Sequence, residues 1–102
     1  MRNASVDAYR TMIDNLDRDL AKYALVLQTC VAGEPMEDVR RIAHSVKGSS
    51  RAMGAQVLGE IFSTLEQHAK AGDIDGARHL HASSHSAIEQ SMAALRQLNA
   101  RN

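Results

Sequence analysis

Tryptophan is absent from this chain, phenylalanine occurs once, tyrosine twice, and proline and cysteine once each. So few aromatics argue against a sheet, whose strands favour aromatic and β-branched residues. One proline, six scattered glycines and abundant Ala, Leu, Gln, Arg, Met and Glu favour helix instead, so the expected class is all-α. The lone Cys30 excludes an internal disulfide. Because it follows the apolar run Ala24-Leu25-Val26-Leu27, it reads as a buried thiol in a reducing compartment, the cytoplasm.

An excess of either charge is missing too, since twelve Lys and Arg offset twelve Asp and Glu. That removes any bulk electrostatic case for nucleic acid or an anionic membrane and leaves recognition to local patches. No apolar run approaches the roughly 20 residues of a spanning helix, and no apolar core follows a basic start, so neither insertion nor secretion is expected. The sequence also lacks a Gly-x-x-x-x-Gly-Lys-[Ser/Thr] phosphate loop. With 102 residues the expectation is one domain with a modest core, residues 1–102, frayed at about 1–4 and 99–102.

What is present is periodicity. Tyr9, Met12, Ile13, Leu16, Leu20, Tyr23, Leu27, Cys30 and Val31 recur at steps of three and four, predicting a first helix that Ser5 or Asp7 caps and Gly33-Glu34-Pro35 ends. Asp14 and Arg18 form an i,i+4 pair on its outer face. A second helix runs from about Met36 to Met53 and Gly54 turns it into a third, with Val57, Leu58, Ile61, Phe62, Leu65 and Ala69 inward. After the Ala71-Gly72-Asp73 turn, a last helix capped by Asp73 or Asp75 buries Ile74, Ala77, Leu80, Ser84, Ala87, Ile88, Ser91, Leu95 and Leu98. The polar patch Ser83-Ser84-His85-Ser86 weakens its middle. Four amphipathic segments on short turns predict an antiparallel up-down-up-down four-helix bundle.

The second helix carries the chemistry. Val39, Ile42, Ala43, Val46 and Met53 make its apolar stripe, while Arg40, His44, Lys47 and Arg51 share the other side, so a histidine faces water among cations. Gly48 interrupts helical sequence at a cost of about 1 kcal/mol relative to alanine. Its missing side chain, one turn after His44, would let another protein's backbone approach the imidazole. Gly59 is placed at a close helix contact.

Ala43, His44, Lys47, Gly48, Ser49 and Gly54 together resemble the Ala-His-x-x-Lys-Gly-Ser and following glycine of histidine-containing phosphotransfer domains. That family often has leucine where this chain has Val46. The resemblance implies the four-helix fold and a phosphoprotein of two-component phosphorelays, a carrier without an ATP site of its own. Its partners would be response-regulator receiver domains and hybrid sensor histidine kinases, with Mg²⁺ supplied by the receiver. It also implies a monomer.

An exposed imidazole titrates near pH 6.5, so much of it is unprotonated and nucleophilic at neutral pH. His44 is the expected phosphoacceptor, and Lys47, one turn on, the cation for the phosphoryl oxygens. Gly48, Ser49, Arg51, Arg40 and Arg41 are the expected docking residues. Counting outward from Gly54 sets Glu66 level with His44, where its carboxylate would orient the ring; the competing expectation is a surface acid paired with Lys70.

Other readings of the chain are a receiver-binding module without turnover and the phosphoacceptor domain of a chemotaxis-type kinase. Ser45 and Val46 stand where a dimerising sensor-kinase helix would carry an acid shortly before a proline. His79, His81 and His85 include an i,i+4 pair, His81 with His85, but no carboxylate or cysteine completes a convincing set, so no metal is assigned.

Overall fold

Charge order and glycine placement set the helix ends. A computed structural model describes residues 4–31 and 36–100, the side chains from Asp7 onward. Helices α1 (Ala4–Thr29), α2 (Glu37–Ala52), α3 (Gln56–Lys70), α4 (Ile74–Ser83) and α5 (His85–Ala100) account for nearly all of them, with no strand among the described residues. Glu37 and Asp38 open α2 and Arg51 closes it, each favourable to the helix dipole. Gly54 (φ 78°) and Gly72 (φ 71°) take the left-handed conformations that turn the chain between α2 and α3 and between α3 and α4. Of the two acids proposed to cap the next helix, Asp73 does so, its Oδ1 accepting from Gly76 N at 2.9 Å.

The expected first-helix terminator, Gly33-Glu34-Pro35, lies outside the described residues, as does Asn3. Helix α1 begins at Ala4, so Asp7 lies in its first turn rather than at a cap. Its last turn has no basic residue, and Arg78 of α4 supplies the cation from across the fold. That guanidinium donates to Leu27 O at 3.1 Å and Cys30 O at 2.7 Å, satisfying carbonyls the helix leaves open. Arg18 reaches Asn15 Oδ1 at 3.5 Å and not the expected Asp14.

The single last helix expected from the sequence is two helices meeting at Ser84. The ladder persists through the joint, with Ser84 N bonded to Leu80 O and Ile88 N to Ser84 O, both at 2.9 Å. Ser83 Oγ, however, also bonds Leu80 O at 3.1 Å, a side chain competing for a backbone acceptor. Ser84 then takes φ −96°, ψ 2°, and α4 ends there.

Among the described helices, the backbone of α2 lies against α1 and α3, while α4 and α5 close the far side against α1 and α3. The molecule is 53 Å long and about 20 Å across, with extents of 53 × 21 × 18 Å. Leu16, Tyr23, Val39, Val46, Leu58, Phe62 and Leu65 fill its centre. The expected stripe of α2 is wholly buried, whereas Val31, Val57 and Leu98 are exposed, Cys30 is half-buried, and Met92 takes an unexpected core position.

Tyr23 stands edge-on to Phe62, centroids 5.1 Å apart, and its buried hydroxyl has no hydrogen-bond partner among the described residues. Burial pushes its ionisation well above the usual tyrosine range. An unsatisfied buried hydroxyl costs about 1–3 kcal/mol, so Tyr23→Phe is expected to raise stability by about 1 kcal/mol in urea titrations. A loss of stability would reveal a partner for that oxygen.

Candidate functional site

The α2–α3 hairpin builds the site. Gly54 reverses the chain; near the turn the stem of Arg51 crosses Gly59, and ten residues before Gly54 His44 meets Glu66. Glu66 shares the inward face of α3 with Phe62, Leu65 and Ala69, which leaves its side chain only 1 % exposed. His44 sits opposite on α2 with its side chain 63 % exposed.

His44 Nδ1 lies 2.9 Å from Glu66 Oε2, and Lys47 Nζ lies 2.5 Å from Glu66 Oε1. Both carboxylate oxygens are thus engaged by donors one helical turn apart. Arg40 and Lys70 each stand 3.9 Å from Oε2, so Lys70 is an outlying neighbour and Glu66 is not a surface acid. Burial raises the carboxyl's pKa, but the hydrogen bonds from Lys47 and His44 and their charges outweigh it, and the net shift is downward.

An ionised carboxylate can only accept, so the proton of the His44–Glu66 bond belongs to Nδ1. In the neutral ring the lone pair is then on Nε2, which the exposure of the side chain turns toward solvent. Lys47, although only 18 % exposed, has three N–H donors and spends one on Glu66. Sequence reasoning linked Glu66 to His44 but missed its bond to Lys47, although Lys47 stands one helical turn from His44 on the same side of α2 and has the longer reach. It also missed Asp19 of α1, whose Oδ2 accepts from Ser45 Oγ at 3.3 Å and flanks the site.

The remaining candidates divide. Arg40 binds Glu37 through both guanidinium arms, Arg41 binds Asp38 at 2.8 Å, and Arg51 is exposed. Ser49 is half-buried and Ser50 is turned inward, bonded to Val46 O at 2.6 Å. Gly48 is exposed, and a Cβ built on it meets nothing within 4 Å. Neither its backbone nor its neighbours demand glycine. Gly48→Ala is therefore expected to stabilise the fold by about 1 kcal/mol, read in thermal melts. A bulky Gly48→Trp should fold yet hinder any protein that covers His44; full association would remove the close-approach argument.

No group of three or more His, Cys, Asp or Glu among the described residues could hold a metal. His81 is half-buried against Tyr23, and burial, then the nearby His85, lower its pKa. Beside His44, both oxygens of Glu66 are held by His44 and Lys47, so that carboxylate is not free for a divalent cation. No helix among the described residues is long and apolar enough to cross a membrane.

Among the described residues, then, an all-helical fold sets the exposed imidazole of His44 on a buried carboxylate with a lysine beside it. The family model of the Hpt domain matches residues 2–98, nearly the whole sequence, and the chain belongs to that family. Hpt domains are phosphocarrier modules of two-component signalling, work with receiver domains and kinases, and are not ATP-binding kinases. No curated protein and no solved structure matches the chain.

Proposed function

We propose that the chain is a phosphorelay intermediate carrying a phosphoryl group on His44 between aspartates of response-regulator receiver domains. The observation that supports this most is the 2.9 Å bond from Nδ1 to a buried carboxylate, with the rest of the ring exposed. The Nε2 lone pair attacks the phosphorus of an aspartyl phosphate, the P–N bond forms, the P–O bond breaks, and the aspartate leaves as carboxylate. Nδ1 keeps its proton throughout, so the phosphorylated ring is a cation resting on Glu66. The return step reverses each bond change at a second receiver.

Within this reading Lys47 turns its two remaining donors toward the phosphoryl oxygens as their charge shifts. Ser49, Arg51, Arg40 and Arg41 surround the docking face, with Gly48 as the close-approach point. The up-down-up-down bundle, in which α4 and α5 together make the fourth column, holds the nucleophile on a rigid helix. Mg²⁺ belongs to the receiver, since both oxygens of Glu66 are already held by His44 and Lys47. The protein acts as a monomer in the cytoplasm, where its receivers are.

The test is transfer of labelled phosphate from each phosphorylated receiver of the source organism to the purified chain. Acid-labile, base-stable label on the chain is the expected result. Absence of label with every receiver, alongside measurable binding, would leave a docking module in its place.

A further inference from the structure

Gly59 has no backbone reason to be glycine. It lies buried inside α3 and its φ is not positive. A Cβ built there meets Ser50 Cβ at 3.8 Å, ordinary contact, and Arg51 Cγ at 3.2 Å, which is tight. The two helices would therefore pack as well with alanine at 59. What the missing methyl accommodates is the aliphatic stem of Arg51, laid across α3.

The head of that side chain has a distinctive situation. Of the three arginines of α2, Arg40 and Arg41 hold acids on their own helix, whereas Arg51 has no ion-pair partner among the described residues. It borders an open hollow with Gly54, Gln56 and Glu60. His44, Gly48 and Arg51 are all exposed and follow at i, i+4 and i+7, one face of α2. A protein seated over His44 and Gly48 reaches Arg51 roughly 10 Å farther along the helix axis.

We propose that Gly59 is a positioning residue that lays Arg51 along α3, and that the guanidinium so held selects receivers with a carboxylate roughly 10 Å from their phosphorylated aspartate. This rests on His44 being the acceptor. A pre-laid stem loses less freedom on docking than a mobile one, and a planar fork matches a carboxylate in a way an ammonium does not.

The experiment measures transfer kinetics from the receiver that labels the wild-type chain fastest, at low and at moderate salt. Arg51→Glu is expected to raise KM about tenfold with kcat held, the increase shrinking as salt screens it. Arg51→Lys should restore part of the loss. Gly59→Ala should raise KM about threefold with the melting temperature unchanged or higher, since alanine suits a helix better. A wild-type KM in Arg51→Glu overturns the selection, and a wild-type KM or a lower melting temperature in Gly59→Ala overturns the positioning role. If no receiver labels the wild-type chain, the phosphotransfer reading fails first and takes this one with it. Label on His44 with wild-type KM in Arg51→Glu sinks this one alone.

Discussion

Replacing His44 by glutamine is expected to reduce label uptake from a phosphorylated receiver by at least about a thousandfold while leaving the fold intact. Glutamine keeps much of the size of the side chain and can still donate an N–H to Glu66, so the buried carboxylate keeps a donor on that side. What it lacks is a nitrogen with an available lone pair, since an amide nitrogen gives its own to the carbonyl. With 63 % of the side chain exposed, little packing is at stake, and the melting temperature should move by no more than a few degrees. The informative control is His68→Gln. His68 is also held through Nδ1 by a carboxylate, Asp73 at 3.0 Å, but that acid caps α4, no lysine is bonded to it, and the ring is only 30 % exposed. Label that survives in His44→Gln and disappears in His68→Gln would move the acceptor from α2 to α3.

The outward face of α2 was readable from sequence because its demands coincide. Val39, Ile42, Ala43, Val46 and Met53 sit at helical spacing and are all buried, which forces His44 outward. The height of Glu66 followed from one glycine, because a tight turn fixes the register of the two helices it joins. Periodicity reads less well where apolar residues adjoin. Of Val57 and Leu58, 100° apart on the wheel, only Leu58 reaches the core. Adjacent small residues mislead in the same way: Leu80, Ser84, Ile88, Met92 and Leu95 follow at steps of four and three across the polar joint, and Met92 is missed because its neighbour Ser91 is placed in the stripe instead. Contacts across the bundle, such as Arg78 on the end of α1 or Asp19 beside Ser45, join residues far apart in sequence, and no local rule announces them.

Glu66→Gln is expected to slow phosphoryl uptake about tenfold to a hundredfold and to destabilise the fold by about 1–3 kcal/mol. Two donors now converge on one acceptor-only group, and an amide offers them a single oxygen. If that oxygen faces Lys47, the NH₂ faces His44 and donates to Nδ1, so the ring proton moves to Nε2 and occupies the nucleophile. If it faces His44, the ammonium of Lys47, only 18 % exposed, faces the NH₂ and loses its acceptor as well as the counter-charge that glutamine removes in either orientation. Nitrogen-15 NMR of His44 separates the cases, because a protonated and an unprotonated ring nitrogen resonate far apart. The pH dependence supplies a second reading. The folded-state pKa of Glu66 lies below its ordinary value of 4.5, so its contribution to stability is present above that value and is lost as pH falls through the depressed one. The stability gap between wild type and Glu66→Gln should accordingly be widest near neutrality and close in acid. A gap that stays constant down the acid limb would mean that the carboxylate's charge does not hold His44 and Lys47 in place, and that the ring is oriented by something else.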